Sequence, residues 1–270
     1  MPIVRDTAKR IANKLGVDIV RFPNQLGRLT WMKQNRLQDA VELEEMYRQF
    51  VFPDLPRRNR KETLYDLIGT SIGEALYIIQ HLHLALKIPG DICEFGVAQG
   101  ATSKLLAEEI FEHHERKLWL FDSFSGLPAP TQEDRLINDI FNLGTMAAYE
   151  GQMACPEEQV LDKLRLIKFP EHRIQIKKGW IKDTIKSGQL PKEICFAYVD
   201  LDLYEPIKDA LNFIDTAMPI GGHIVVDDYG WFSAGAQQAV DEFFARAGGR
   251  FQFSLPIKCA GYFCVLSKTG

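Results

Sequence analysis

Residues 91–102 have the sequence Asp-Ile-Cys-Glu-Phe-Gly-Val-Ala-Gln-Gly-Ala-Thr, and the architecture can be inferred from them and their surroundings. The apolar run Ile92–Phe95 has the length of a strand and is followed by Gly96, Gly100 and a helical pattern. The two glycines allow a tight turn and a close approach of a ligand to the backbone. Strand, glycine turn and helix in this order predict one corner of a doubly wound α/β sheet, which binds ligands at the carboxyl ends of its strands.

The same alternation of short apolar runs and helical patterns continues along the chain. Apolar runs that do not alternate with polar residues fit parallel strands covered on both faces. The predicted strands are Ile92–Phe95, Leu118–Phe121, Ile174–Ile176, Ile194–Val199 and Ile224–Val226, and the predicted helices are at about 101–114, 156–167, 204–217 and 235–247. Two last runs, Phe251–Leu255 and Tyr262–Leu266, have no helix between them and predict a terminal β-hairpin.

The first 60 residues have a different character. Helical patterns occur only at about 4–14 and 37–50, and a basic, proline-containing joint at 52–61 ends this part. We therefore expect a helical N-terminal arm or cap over residues 1–60 and a sheet domain over residues 61–270. The domain is predicted to begin with a helix at about 63–86, started by a capping box of Thr63 and Asp66.

Composition restricts the classes of protein to which the chain can belong. The net charge is −4 with acids and bases interspersed, which argues against nucleic acid as the main partner. The sequence contains no apolar stretch long enough to span a membrane and does not begin like a secretory signal. Five cysteines without a C-x-x-C pair predict reduced, mostly buried thiols in a cytoplasmic protein.

The glycine turn is acidic, which limits the ligands that it suits. A nicotinamide site would have G-x-G-x-x-G, but Ala98 stands where the central glycine admits a diphosphate, and Glu94 would repel one. A carboxylate there suits a cationic ligand or a ribose hydroxyl, and Asp122 ends the second strand, where an acid typically binds a ribose. A nicotinamide-dependent oxidoreductase is thus disfavoured but kept as an alternative, as is a strand-to-helix turn without a ligand.

Two neighbouring strands of the predicted sheet are each followed by a pair of acids. Asp200 and Asp202 follow Ile194–Val199, and Asp227 and Asp228 follow the next strand. Carboxylates that converge repel one another unless they share protons or bind a cation, and oxygen-only ligands select Mg²⁺ before Ca²⁺. We expect Asp202 chiefly to cap the following helix. The alternative for the whole set is capping and solvated loop acids.

These motifs together resemble the macrocin O-methyltransferase family, metal-dependent sugar O-methyltransferases that use S-adenosylmethionine. Its most specific features here are Asp-Ser-Phe-x-Gly-Leu-Pro and Val-Asp-Asp-Tyr-Gly. The matching stretches are Gly90–Val97, Leu118–Pro128, Lys178–Thr184, Asp200–Tyr204 and Gly221–Gly230. The resemblance implies the Rossmann-like class I methyltransferase fold, in which the last strand is antiparallel.

The resemblance also implies roles for individual residues and a class of substrate. The S-adenosylmethionine site would contain Glu94, Gly96 and Asp122, lined near ribose or adenine by Ser123, Phe124, Gly179 and Trp180. The Mg²⁺ site would contain Asp200, Asp227 and Asp228, with Asp200 acting in metal-assisted catalysis. The acceptor would be a hydroxyl of a sugar in a natural product or polysaccharide. A catechol-like phenol is an alternative acceptor, and a non-catalytic scaffold is disfavoured by the three retained aspartates.

The general base is open at this point. Related enzymes are thought to place a histidine after the second strand, yet residues 125–170 contain none. The polar alternatives there are Glu133, Asp134, Asp139, Tyr149 and Glu150. His223 is expected to be structural because it begins the fifth strand, at the opposite edge.

Three further features could shape the acceptor site and the assembly. Residues 129–155 could form a lid or a plain surface helix, and Trp231 and Phe232 could stack on a ring of the acceptor or only pack. We expect a homo-oligomer whose N-terminal arm covers the acceptor pocket or a partner subunit.

Overall fold

The computed structural model describes residues 60–270 except residues 187, 258 and 259. Its strands form one sheet of order β3-β2-β1-β4-β5-β7-β6. Their bounds are β1 Asp91–Phe95, β2 Leu118–Asp122, β3 Ile174–Lys178, β4 Ile194–Val199, β5 His223–Val226, β6 Phe251–Ser254 and β7 Cys264–Lys268. The predicted strands are therefore confirmed, with small differences at their ends.

Strands β1 to β5 are parallel, and the strand order reverses between β1 and β4. Strand β7 pairs antiparallel with both β5 and β6. The doubly wound α/β sheet and its antiparallel last strand, expected from the sequence and the family resemblance, are confirmed. Ligands bind at such a switch point, outside the carboxyl ends of the strands.

Helices cover both faces of the sheet. They are α1 Arg60–Tyr65, α2 Ile72–Ala85, α3 Ala101–Glu109, α4 Glu157–Leu166, α5 Ile181–Thr184, α6 Tyr204–Ala217 and α7 Ala234–Ala247, with short 3₁₀ turns at Met146–Tyr149 and Glu171–Arg173. One buried cluster joins the sheet to α2, α3 and α4, and a second joins it to α6 and α7. Every residue of β4 is buried, which explains its uninterrupted apolar sequence.

The prediction of one helix over residues 63–86 is wrong. Helix α1 ends at Tyr65, and Gly69 adopts a φ of +90° before α2 begins. Ser71 caps α2 by accepting a hydrogen bond from the backbone N–H of Glu74. The capping box of Thr63 is also wrong, because its hydroxyl donates to the Glu108 carboxylate at 2.8 Å.

The predictions about the N-terminal arm concern residues that the structure does not describe. Its helices at about 4–14 and 37–50 and its basic joint up to residue 59 lie outside the described residues. Among the described helices, none is long and apolar enough to cross a bilayer.

Candidate active site

Four strained residues lie within three positions of the strand ends at the carboxyl edge of the sheet. Ala98, Phe124, Asp202 and Asp228 follow β1, β2, β4 and β5, and their φ angles are +44°, +53°, +63° and +55°. Non-glycine residues in this region cost about 1–3 kcal/mol each and cluster at functional sites. Backbone strain therefore coincides with the edge at which a ligand is expected.

Gly96 brings the turn after β1 into contact with the loop after β4. Its φ is +85°, and a Cβ atom placed on it would lie 1.6 Å from the carbonyl oxygen of Asp200. The Asp200 backbone N–H in turn donates to the carbonyl of Phe95 at 2.7 Å. Only glycine fits there, and the predicted cofactor turn and metal site are adjacent as a result.

Asp122 fastens the glycine turn to the loop after β2. Its Oδ2 accepts hydrogen bonds from the N–H groups of Val97 at 2.7 Å and Ala98 at 3.2 Å. Its Oδ1 accepts from the N–H of Phe124 at 2.6 Å. Oδ1 can still accept a further hydrogen bond, for example from a ribose hydroxyl.

Glu94 lies buried in β1 beneath the turn. The Ser103 hydroxyl donates to its Oε2 at 2.5 Å. Burial raises the pKa of Glu94 to about 8, with a smaller rise from Asp122, although the bond from Ser103 lowers it. This carboxyl group is therefore poised to ionise when a cation approaches.

The other predicted cofactor residues lie at the ends of β2 and β3. The Gly179 N–H donates to the Asp122 carbonyl at 2.9 Å, which places Gly179 and Trp180 beside Asp122. Trp180 is half-exposed, and Lys178 lies 5.5 Å from the centre of the Phe124 ring. The Ser123 hydroxyl donates within its own turn, to the carbonyl of Gly126.

Three carboxylates converge where β4 and β5 end. Oxygen atoms of Asp200, Asp202 and Asp228 all lie within 4.8 Å of one another. Burial is the main cause that raises the pKa of Asp200 and Asp228 well above the usual range, and Asp227 is the next. Burial also raises the pKa of Asp202, to about 6. When all three carboxyl groups are ionised, their negative charges repel one another, so a cation or a shared proton is needed to stabilise the group.

The expected capping role of Asp202 is wrong. Helix α6 begins at Tyr204 with Leu203 in the N-cap position. The Tyr204 N–H is bound at 2.8 Å by Oδ1 of Asp134. Asp202 instead shares a hydrogen bond with Asp228, because its left-handed backbone turns its carboxylate toward the cluster.

Asp227 lies outside this group of three, and both of its carboxylate oxygens bind residues of the chain. Its Oδ1 accepts from the N–H of Asp228 at 2.7 Å, and its Oδ2 accepts from the Tyr198 hydroxyl at 3.2 Å. The carboxyl group of Asp227 also lies at hydrogen-bonding distance from that of Glu74 of α2. Burial, followed by the charge of Asp227, raises the pKa of Glu74 well above its usual range.

Sequence reasoning missed Glu74. It is the only acid in the apolar sequence of α2, which is a signal, but Ser71-x-x-Glu74 also matches a capping box. The structure has the cap from Ser71 yet turns the carboxyl group of Glu74 into the site.

None of the five candidate bases in residues 125–170 belongs to the group of converging acids. Asp134 is 5% exposed and accepts four hydrogen bonds, from the Tyr204 N–H, the Ser233 hydroxyl, and the N–H and hydroxyl of Thr131. The Tyr149 hydroxyl donates to Asp139, Glu133 is partly exposed, and Glu150 is exposed. Asp134, Asp139 and Tyr149 thus stabilise the loop itself.

Aromatic residues follow Asp228 in the chain and form part of the border of the site, called the rim from here on. Phe232 is fully buried and packs against Tyr149, which is ordinary core packing. The Trp231 ring stacks on the half-exposed Tyr262 at a centroid distance of 4.3 Å. The nearby loop exposes Ile140 and Phe141 and contains a 3₁₀ turn where a surface helix was one of the two expectations.

His223 lies at the opposite edge of the sheet, as expected for a structural histidine. Its Nδ1 is 3.2 Å from Nδ1 of His81 and 2.8 Å from the Ser267 hydroxyl. Burial lowers the pKa of both histidines, that of His81 to about 4, where His223 adds to the effect.

Known proteins with similar sequences are methyltransferases. A family model described as macrocin-O-methyltransferase (TylF) matches residues 54–255. The 8-demethyl-8-(2,3-dimethoxy-alpha-L-rhamnosyl)-tetracenomycin-C 4'-O-methyltransferase of Streptomyces olivaceus is 27% identical over 66% of this chain and 67% of its own length. Demethyldecarbamoylnovobiocin O-methyltransferase of Streptomyces niveus is 30% identical over 59% of this chain and 60% of its own length.

The fold is also found in solved structures. The O-methyltransferase NovP has a TM-score of 0.63 and 21% identity, and the match covers 88% of this chain and all of NovP. At this identity the likeness supports the fold alone.

Proposed function

This chain belongs to the macrocin-O-methyltransferase family and is an O-methyltransferase, and we propose that it methylates a hydroxyl of a sugar carried by a natural product. The proposal includes S-adenosylmethionine as methyl donor and Mg²⁺ as cofactor. The observation that supports it most is the contact of Gly96 with Asp200, because it sets the cofactor turn directly beside the converging acids.

The glycine turn fits S-adenosylmethionine better than a nicotinamide cofactor. When bound, that molecule supplies a methyl group on a positively charged sulfur and brings no phosphate. Glu94 is a buried carboxyl group whose ionised form a nearby cation would favour, and Oδ1 of Asp122 keeps a lone pair for a ribose. Family membership removes the nicotinamide-dependent oxidoreductase as an alternative.

The acids fit a hard divalent cation, since every donor is a carboxylate oxygen. We propose that Asp200, Asp227 and Asp228 hold it and that Asp202 provides a further nearby oxygen. When bound, the cation neutralises these charges, orients the acceptor and lowers the pKa of its hydroxyl. The protein itself fixes the geometry of the site. Asp202 and Asp228 lie on strained loops, and the Asp228 N–H holds the carboxylate of Asp227.

We propose that Asp200 accepts the proton of the acceptor hydroxyl. The loop candidates either support the loop or are exposed, whereas Asp200 lies between the cofactor turn and the acids. In the metal-free protein, burial, followed by the charge of Asp227, raises the pKa of Asp200 well above its usual range.

The acceptor proposal draws on the names of the relatives and on the rim of the site. One relative is named for methylating a rhamnosyl group of tetracenomycin, and another for a novobiocin precursor. The stack of Trp231 on Tyr262 and the exposed Phe141 offer apolar surface for the part of the molecule that bears the sugar.

The test is methyl transfer from S-adenosylmethionine to a panel of glycosides and catechols, with Mg²⁺ or with a chelator, followed by mass spectrometry. We expect glycosides to gain one methyl group only when Mg²⁺ is present. Methylation of catechols alone would move the acceptor to phenols, and full activity in chelator would contradict the metal.

The division at residue 60, a homo-oligomeric assembly and a cytoplasmic location stay predictions. If the arm covers the acceptor pocket or a partner subunit, deleting residues 1–55 should change the activity or the oligomeric state. An unchanged enzyme would contradict that role.

A further inference from the structure

We propose that Tyr198 and Glu74, called the rear wall from here on, position Asp227 for cation binding. The inference rests on the proposed Mg²⁺ site and concerns residues behind it. Neither side chain belongs to the group of predicted ligands, and they come from different elements, α2 and β4.

The Tyr198 hydroxyl lies among three acids. Its oxygen is 3.2 Å from Oδ2 of Asp227, 3.2 Å from Oε1 of Glu74 and 3.5 Å from Oδ2 of Asp200. One phenol therefore touches an acid from each of the two strand ends and one from α2. Asp200 and Asp227 thus have the Tyr198 hydroxyl as a common neighbour.

The phenol is itself held firmly. Tyr198 is fully buried in the middle of the sheet, paired with Glu94 on one side and Val225 on the other. The side chain of Thr70 hydrogen-bonds to the phenol, and Thr70 is bound to Thr102 at 2.9 Å. The Tyr198 oxygen consequently has little freedom to follow a rotating carboxylate.

Glu74 is fixed by the start of its helix. The Ser71 hydroxyl accepts from the Glu74 N–H and donates to the carbonyl of Ala260 at 2.6 Å. A Cβ atom on Gly73 would lie 2.4 Å from the Ala260 Cα, so the helix start is packed closely against that loop. The backbone from which the Glu74 side chain reaches Asp227 is therefore held in place.

Asp227 is thus held at both oxygens, by the Asp228 N–H and by the rear wall. Oδ1, which accepts one hydrogen bond, still has a lone pair for a cation. Groups that orient metal ligands in this way change metal affinity when they are removed, by 10- to 100-fold in typical cases. Because Mg²⁺ demands near-ideal geometry and Ca²⁺ tolerates irregular sites, a loosened Asp227 should affect Mg²⁺ more.

The experiment measures Mn²⁺ binding by electron paramagnetic resonance in the full-length protein and in Tyr198→Phe. The dissociation constant should rise about tenfold in the variant. Competition should show that Mg²⁺ loses more affinity than Ca²⁺. Affinity for S-adenosylhomocysteine, measured by calorimetry, should stay within about twofold of the wild type.

The matched control is Tyr204→Phe. The Tyr204 hydroxyl also donates to a carboxylate, that of Glu242, at 2.6 Å, but away from the acids of the site. Its loss should leave Mn²⁺ affinity unchanged. Glu74→Gln is the second variant, and it should weaken Mn²⁺ binding even if Tyr198→Phe folds poorly.

The outcomes separate this inference from the proposed function. Wild-type Mn²⁺ binding that Asp200→Asn abolishes but both rear-wall variants leave unchanged would overturn the rear wall alone. Absence of Mn²⁺ binding in the wild type would overturn the proposed metal site and the rear wall together. Equal weakening by Tyr204→Phe would also overturn it, since the effect would then be a general one.

Discussion

The carboxyl edge of the parallel sheet gathers acids and the amino edge holds two arginines, and the two groups find different partners. At the carboxyl edge, acids lie against other acids, and burial raises the pKa of Asp200 and Asp228. At the amino edge, buried Arg173 donates to the backbone carbonyls of residues 110, 111, 113 and 116 at 2.8–2.9 Å. Arg116 similarly donates to the carbonyls of Gly90 and Ile88.

The difference shows which edge is built for stability and which for chemistry. The arginines of the amino edge donate to carbonyls of the chain, and Arg116 also donates to the Glu115 carboxylate, so their charges are satisfied within the protein. The acids of the carboxyl edge repel one another and lie on strained loops, which lowers stability unless a ligand compensates. Removing an arginine at the amino edge should therefore lower stability, and removing an acid at the carboxyl edge should chiefly alter catalysis.

The largest effect is expected where the two halves of the site touch. Gly96→Ala places a methyl group on the Asp200 carbonyl, so it should destabilise by about 4 kcal/mol or more and abolish S-adenosylhomocysteine binding. Gly69→Ala is the matched control: its φ is +90°, but nothing lies within 4 Å, so only about 1–2 kcal/mol of backbone strain is expected. Urea unfolding and calorimetry measure both, and wild-type binding by Gly96→Ala would contradict the geometry.

Asp200→Asn should affect catalysis without harming the fold. The turnover number should fall about 10³-fold because a proposed ligand and base is lost. The pKa of Asp200 is raised in the folded state, so its charge destabilises near neutral pH, and the metal-free variant should melt no earlier than the wild type. Asp162→Asn, on the exposed face of α4, is the control, and near-normal turnover in Asp200→Asn would refute its assignment.

Arg173→Met tests the opposite edge. Removing its guanidinium leaves four carbonyls without this donor, so stability should fall by about 3 kcal/mol. The turnover number of the remaining folded enzyme should stay within about twofold of the wild type. A selective loss of turnover with unchanged stability would reverse the division between the edges.

The smallest effect concerns pH. The folded-state pKa of His81, about 4, is below its unfolded value because of burial and then His223. Its contribution to stability is therefore present above pH 6.5 and is lost as pH falls toward 4, about 2–3 kcal/mol in all. His81→Gln should flatten this acid limb of the urea-unfolding profile, and an unchanged limb would show that the histidine pair does not cause it.

Local patterns predicted the elements that burial determines. Strand Ile194–Val199 and helix 204–217 have the expected bounds, because a fully buried strand and a one-sided helix leave clear apolar patterns. The helix expected over 63–86 failed at Gly69, whose positive φ no periodicity reveals. The sequence also placed Glu94, Gly96, Asp122 and the acids after β4 and β5 at a common edge.

The parts that could not be predicted depend on contacts across the chain. Glu74 reaches Tyr198 from 124 positions away, and Asp134 caps a helix 70 positions later. A capping motif explained Glu74 locally, and a strand-end position suggested that Asp202 would cap its own helix. In both cases a distant partner outweighed the local preference.

The most direct test of the central claim is calorimetric titration of Mg²⁺ into the protein saturated with S-adenosylhomocysteine. The account predicts one binding event in the wild type that disappears in Asp228→Asn, while both proteins bind S-adenosylhomocysteine. Equal Mg²⁺ binding by the two proteins, or none by the wild type, would contradict the claim that the carboxyl-edge acids hold the cation.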